Sequence, residues 1–258
     1  MTNFSPDPNL PVLWPICWPL PAGVHALCTT RCGGVSKPPF DGFNLGDHVS
    51  DDPSAVLANR NLLKTQLVGA RPVFLSQVHG VDVVELNSAT PDGIPADACL
   101  TQDTQVACTI MVADCLPLLF TDASGSVVAA AHAGWRGLAS GVVDQTVNAI
   151  CTRAGVESAQ LHAWLGPCIG PEAFEVGDDV RKAFSWGETL FKPHPTRANK
   201  WFADLAGLAR LRLQALGVTS IAGNDSQPKW CTFSPRSKLF SFRRDGATGR
   251  FAACIWRS

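Results

Sequence analysis

Three side chains in this sequence are of the types that hold a borderline metal ion or carry out nucleophilic chemistry. His79 lies in Ser76-Gln77-Val78-His79-Gly80, Cys115 follows Asp114 inside an apolar run, and His132 closes a second run just before Gly134-Trp135-Arg136-Gly137. Zinc takes thiolate and neutral imidazole in tetrahedral geometry, and three protein ligands leave its fourth position for water. Such a site makes hydroxide available near neutral pH. His79, Cys115 and His132 are therefore the candidate metal ligands. The pair Cys115 and His132 also supports a different chemistry, a thiol nucleophile with an imidazole base, in which His79 is a bystander and no metal is needed.

Polar neighbours suit supporting parts. Asp114 is a candidate catalytic residue that could orient a ligand histidine, or else a strand-end cap. Arg136 could hold phosphate or carboxylate in a bidentate fork, or form a structural ion pair, and Arg31, ahead of Gly33-Gly34, has the same two readings. Gln77 and Asn44 could bind a polar substrate edge or simply tie down their loops, while Arg243 and Arg244 are expected to fix the last hairpin.

The elements that must position these residues are legible as periodicity. Residues 109–120 and 126–131 are apolar runs split by Asp122-Ala123-Ser124-Gly125, which predicts two buried strands around a turn. Helices are expected at 53–67, capped by Asp52, at 138–153, at 177–184, and at 205–216, capped by Asp204 and ended by Gly217. Strands are expected at 24–31, 73–79, 81–86, 161–165 and 220–222, with a terminal hairpin of 238–243 and 250–256; residues 91–98 and 185–200 read as loops. Interleaved strands and helices with hairpins among them predict an α+β fold, a layered α/β/α sandwich with mixed β-sheets. Residues 1–22 read as an irregular N-terminal arm and 23–258 as a single catalytic domain.

Composition narrows the function. With 258 residues, 46% hydrophobic and 17% charged, the chain can bury a real core. A net charge of −1 without a basic block disfavours nucleic-acid binding. No apolar run reaches membrane-spanning length, and the proline-interrupted start without Lys or Arg does not read as a signal peptide, so a cytoplasmic location is expected. Ten cysteines occur without a Cys-x-x-Cys; Cys28, Cys108, Cys151 and Cys254 sit in apolar contexts and are expected to act as small hydrophobes, and Cys32 to be structural. Six histidines without a His-x-His pair are a poor supply for a multinuclear copper oxidase, so copper is disfavoured.

Several long motifs carry a resemblance. Ser76-Gln77-Val78-His79-Gly80, Ala113-Asp114-Cys115, the stretch from His132 to Gly137, and Leu165-Gly166-Pro167-Cys168-Ile169-Gly170 resemble the YfiH-like family, once labelled multicopper polyphenol oxidoreductase (laccase). Thr30-Arg31-Cys32-Gly33-Gly34, Phe43-Asn44-Leu45-Gly46 and Ser241-Phe242-Arg243-Arg244-Asp245 are similar to it as well. The resemblance implies a layered α/β fold shared with a bacterial toxin's cysteine hydrolase domain, and one zinc per chain on His79, Cys115 and His132. It also implies activity on purine nucleosides: phosphorolysis of adenosine, inosine, guanosine and methylthioadenosine, and deamination of adenosine. The expected partners are the nucleoside and phosphate, in a monomer. For some bacterial members it implies peptidoglycan-precursor editing, which would suit the Cys–His hydrolase reading. One departure is Phe242, where the family usually has Tyr; this chain has no Tyr at all. Deamination needs a proton shuttle, for which His48, Asp114 and Glu175 are the candidates, and phosphorolysis needs cations, for which Arg31 and Arg136 are chosen.

Overall fold

The run expected as one strand over 109–120 is two strands in two different sheets. In the computed structural model, which describes residues 9–234 and 237–258, every residue of β6 (Val106–Val112) and β7 (Leu116–Asp122) is buried. Between them, residues 113–115 carry the chain from one sheet to the other. A polar Asp-Cys step inside an apolar run marks that crossing.

The first sheet has the order β1 (Leu13–Trp14), β2 (Val24–Thr29), β14 (Phe251–Arg257), β6 and β3 (Arg71–Phe74). The second has the order β13 (Ser220–Gly223), β9 (Leu161–Leu165), β7, β8 (Val128–Ala133), β5 (Ala98–Thr101) and β4 (Val83–Glu85). Both are mixed: β3–β6, β4–β5 and β9–β13 pair parallel, and the other pairs antiparallel. Cys108, Ile110, Phe251, Ala253 and Ile255 of the first sheet meet Cys99, Leu119, Val128, Ala130 and Trp164 of the second in one apolar cluster, so the sheets stack face to face. Alternate residues point the other way. Ala107, Met111, Cys254 and Trp256 pack on Leu63 of helix α1 (Pro53–Gln66). Leu118, Phe120, Ala129 and Ala131 pack on Val143 and Val147 of α3 (Val142–Ala154) and on Leu208 of α5 (Leu205–Ala215). The result is the expected layered α/β/α sandwich with a β layer two sheets thick, which explains why the central strands are apolar on both faces.

Helix α1 begins where its cap predicts, with the Asp52 side chain accepting from the Ser54 N–H at 2.8 Å and Pro53 in the first turn. Asp204 caps α5 in the same way through Gly207 N–H. The helix expected over 138–153 is two helices. α2 (Trp135–Ser140) starts directly after Gly134, and Gly141, at φ 101°, breaks it from α3. Residues 185–200 are not a plain loop: a short 3-10 helix (Ser185–Leu190) leads into β11 (Phe191–Pro193), and residue 200 begins β12 (Lys200–Ala203), which pairs with β11 and with β10 (Glu175–Gly177). α4 (Asp178–Ala183) follows β10 as expected.

The terminal hairpin does not form. Residues 238–241 are not a strand, and α6 (Phe242–Asp245) is a helical turn capped by Ser241. β14 instead runs between β2 and β6, with Ala253 opposite both Cys28 and Ile110. A strand apolar on both faces gains more between two strands than at a hairpin edge. In the N-terminal arm, Leu13 and Trp14 pair with Thr29 and Cys28, so part of it is not irregular; its first eight residues lie outside the described residues. Cys28, Cys108 and Cys254 are buried as expected, with burial pushing the Cys254 thiol up to about 12, while Cys151 is only half-buried. No helix among the described residues is long and apolar enough to cross a membrane.

Candidate metal centre

Cys115 sits at the sheet crossing, immediately before β7. His132 is in β8, and alternation from Val128 and Ala130 turns it toward the opposing sheet. His79 stands on the turn between β3 and β4, at φ 62°, and Asp114 beside Cys115 is at φ 92°. Positive φ at a residue other than glycine costs on the order of 1–3 kcal/mol and persists only where neighbours impose it. Here they do. The His79 N–H donates to Asp97 Oδ1 at 2.9 Å. Asp114 accepts from Thr232 Oγ1 and from the Arg243 N–H, both at 2.6 Å, while its carbonyl accepts from Ile169 N–H.

The three expected ligands converge. Their ligand atoms lie within 4.8 Å of one another; Cys115 Sγ is 3.9 Å from His79 Nε2, and the two imidazoles meet edge to face with centroids 4.8 Å apart. Tetrahedral zinc separates nitrogen and sulfur ligands by about 3.3–3.6 Å, so closing on an ion needs shifts on the order of 1 Å. Gly134 leaves the space: a Cβ there would lie 2.8 Å from His79 Cδ2 and 3.1 Å from Cys115 Sγ. A thiolate and two imidazoles around a cradle that even a methyl group would fill are a good fit to zinc.

Asp97 organises the site. Its carboxylate is fully buried, 2.7 Å from His132 Nδ1, and it accepts the backbone N–H groups of Val78, His79 and Gly80 at 3.1, 2.9 and 2.7 Å. It thereby fixes the His79 turn and commits His132 Nδ1, leaving Nε2 as the atom that could reach a metal. Burial raises the Asp97 pKa, but the His132 hydrogen bond and these N–H groups outweigh it and hold the carboxyl below its usual range. Asp114, open to this role or to that of a strand-end cap, bonds Thr232 and the Arg243 N–H instead, and it is Asp97 that meets His132. The sequence placed Asp97 in a loop; the available signal was a lone acid in Ala96-Asp97-Ala98-Cys99-Leu100, at the mouth of a buried strand.

Electrostatics favour a charged thiol. Burial raises the Cys115 thiol, but the charge and hydrogen bond of His132, with His79 adding to both, bring it down to about 6. Burial lowers His132, and the Cys115 thiolate with the Asp97 hydrogen bond raises it to about 9. The two groups therefore prefer a thiolate–imidazolium pair, and a bound metal would be held by the thiolate and by the imidazole after loss of its proton.

The trio opens into a cavity of about 440 Å³, within the range of small-ligand sites. Its walls include Met111, Trp135, Phe174 and Phe242, and its charged lining includes Arg136, Arg243 and Arg250.

The family described as multi-copper polyphenol oxidoreductase laccase matches residues 25–258. The chain belongs to that family. This laccase-family chain is 50% identical over 243 residues to a purine nucleoside phosphorylase of Pseudomonas aeruginosa, with 93% of this chain and 96% of that one covered. It is 45% identical over 244 residues to the purine nucleoside phosphorylase YfiH of Escherichia coli, at 93% and 96% coverage. Among solved structures, it resembles a Neisseria meningitidis protein at 44% identity and TM-score 0.86, with 95% of this chain and 99% of that one covered. It also resembles YlmD of Geobacillus stearothermophilus at 33% identity and TM-score 0.81, with 92% of each covered. The family description speaks of several coppers; among the described residues, one cluster of His, Cys, Asp or Glu could hold a metal.

The remaining candidates in this family member divide. Arg136 lines the cavity, exposed, with its guanidinium 4.4 Å over the Trp135 ring and no ion pair among the described residues. Gln77 lines it too, but its amide is spent on both backbone groups of Met111, at 2.8 and 2.9 Å. Arg31 is not in the lining: it pairs with Asp41 and Asp245 and stacks over Phe240, which is its structural reading. Asn44 is fully buried and binds Gly46, Asp51 and the Arg250 N–H rather than facing the cavity. Arg244 ties down its turn through the carbonyls of Thr232, Ser234 and Leu239, as expected. Arg243, expected to do the same, reaches the cavity beside Phe174. Of the shuttle candidates, His48 and Asp114 line the cavity, whereas Glu175 is outside the lining and paired with Arg197.

Proposed function

We propose that this chain is a zinc-dependent purine nucleoside enzyme whose main reaction is phosphorolysis of adenosine, inosine, guanosine and methylthioadenosine, with adenosine deamination as a second activity. The observation that carries this reading is the convergence of His79, Cys115 and His132 at a cavity lined by three arginines. The activity for which the Pseudomonas aeruginosa and Escherichia coli relatives are named points the same way. When bound, zinc supplies a Lewis acid and lowers the pKa of a coordinated water.

The chain's own residues do the rest. Asp97 holds the His132 tautomer and the His79 turn. Phe174, Phe242, Trp135 and Met111 offer apolar and aromatic lining suited to a purine. Arg136 offers an unpaired guanidinium to phosphate. In the phosphorolysis step an oxygen of phosphate bonds to the anomeric carbon of the ribose. The glycosidic carbon–nitrogen bond breaks, its electron pair leaves on the purine nitrogen, and the base takes up a proton. In deamination a water oxygen replaces the amino group, which leaves as ammonia.

One observation favours a second reading. Asp97, His132 and Cys115 stand in the carboxylate–imidazole–thiol order of a cysteine hydrolase, with the thiol already pushed down to about 6. Such an enzyme would act on an amide, as in precursor editing.

Incubating purified protein with adenosine, with and without phosphate, separates the readings. Free adenine forming only with phosphate is the expected result. Inosine forming regardless of phosphate would make deamination the main reaction, and neither product would leave the hydrolase.

A further inference from the structure

The motif Phe43-Asn44-Leu45-Gly46 has no part in the metal site, yet it is among the most constrained stretches of the molecule. Phe43, Asn44 and Leu45 are fully buried. Asn44 Oδ1 accepts the N–H of Gly46 at 2.9 Å and the N–H of Arg250 at 2.8 Å, and Leu45 N–H donates to the Arg250 carbonyl at 3.0 Å. Gly46 lies under the Arg250 stem: a Cβ there would stand 2.8 Å from Arg250 Cγ. Gly249 lies equally close to the motif, since its Cβ would meet Asn44 Cβ at 2.8 Å. The loop therefore clamps the backbone and the aliphatic stem of one residue.

Arg250 is half-buried, lines the metal cavity, and donates Nη1 to the carbonyls of Thr248 and Gly249, both at 3.0 Å. Among the described residues it has no carboxylate partner at ion-pair distance. Arg31, Arg60, Arg71, Arg153 and Arg212 each have one; of the arginines without one, Arg136, Arg243 and Arg250 line the cavity, and of these Arg250 alone is half-buried with its stem clamped. Burial holds the Arg250 pKa below its ordinary value against the opposing pull of Cys115 and Asp114, yet a guanidinium stays charged in proteins. A partly desolvated charge without a counter-ion carries a cost, and an anion drawn from solution reduces it.

We propose that Arg250 is the half-buried anion-binding residue of the cavity, seating inorganic phosphate, and that the Asn44–Gly46 loop is the positioning device that aims it. The inference rests on the phosphorolysis reading only for the identity of the anion. It gives Arg136, exposed at the cavity, the lesser share of phosphate binding, because a partly desolvated guanidinium binds an anion better than a solvent-exposed one. Asn44 thus acts on substrate through Arg250.

The test is calorimetric titration of the zinc-loaded protein with inorganic phosphate and, separately, with adenosine monophosphate, alongside the phosphate KM of phosphorolysis. Arg250→Gln should weaken phosphate binding by about 10- to 100-fold, the worth of hydrogen bonds to a charged group, with zinc content unchanged. Arg250→Lys, which keeps the stem on Gly46, should recover little because it lacks the fork. Gly46→Ala keeps the charge and displaces the stem, and should weaken phosphate binding in the same direction. Arg136→Ala should weaken it less than Arg250→Gln. Phosphate binding that persists unchanged in both Arg250→Gln and Arg250→Lys overturns the inference. So does loss confined to adenosine monophosphate, which would assign Arg250 to a phosphate ester. If the parent binds phosphate through Arg250 but releases no base from nucleosides, the inference stands and the phosphorolysis reading fails.

Discussion

His79→Ala is expected to lose zinc and activity together. In the proposed site His79 would contribute one of three ligand atoms, and Cys115 and His132 alone would leave a two-ligand site. Loss of a residue that only supports a ligand already lowers metal affinity about 10- to 100-fold, so loss of the ligand itself should exceed that. The fold should survive, because the His79 side chain is exposed and the turn is held by its N–H on Asp97. This variant separates the two chemistries, whereas Cys115→Ala does not, since both need the thiol. In a cysteine hydrolase the line from Asp97 through His132 to Cys115 is intact without His79, and activity persists. Metal analysis beside turnover on the same preparation decides it.

Asp97→Ala should be the most damaging single change outside the ligands. Four donors converge on this carboxylate: His132 Nδ1 and the N–H groups of Val78, His79 and Gly80. Removing it leaves the buried His132 Nδ1 and three part-buried N–H groups unpaired and frees the positive-φ turn that carries His79. We expect a loss of about 3–5 kcal/mol in stability, as for breaking a buried charged pair, and about 10- to 100-fold in zinc affinity. Asp97→Asn keeps the volume but offers an amide N–H to a set of donors, and should keep only part of both. The pH dependence has a definite sign. Because the folded state holds the Asp97 pKa low, its contribution is full above the ordinary carboxylate pKa and is lost as pH falls through the depressed value. Thermal unfolding followed from neutral to acid pH should therefore show a flatter acid limb in Asp97→Asn than in the parent. Equal acid limbs would contradict the role given to Asp97.

Much of the site was legible because its residues are out of character where they stand. A thiol next to a carboxylate in an apolar run and an imidazole at the end of an Ala–Val strand have little structural use. Helix caps at Asp52 and Asp204 are local chemistry, and local chemistry is readable. What stayed hidden depends on pairing across the chain. Asp97 is an ordinary acid until sheet register brings His132, 35 residues on, against it. Arg31 looked like an anion binder beside a glycine turn, but Asp245 and Phe240, far away in sequence, occupy it. Arg250 was assigned to a hairpin arm, and only the insertion of β14 between β2 and β6 carries it to the cavity. Periodicity shows that a strand is buried on both faces but does not say between which neighbours, so the split of 109–120 across two sheets could not be read from it.

The central claim, that catalysis at His79, Cys115 and His132 depends on a single zinc, is tested most directly by removing and restoring the metal. Protein purified without added metal should contain about one zinc per chain, as three convergent ligands require. Stripping it with a chelator should abolish release of adenine from adenosine in phosphate buffer, and adding back one equivalent of zinc should restore it. A chelated, metal-free protein that still turns over, and that a thiol-directed reagent at Cys115 then silences, would contradict the account and leave a cysteine hydrolase in its place.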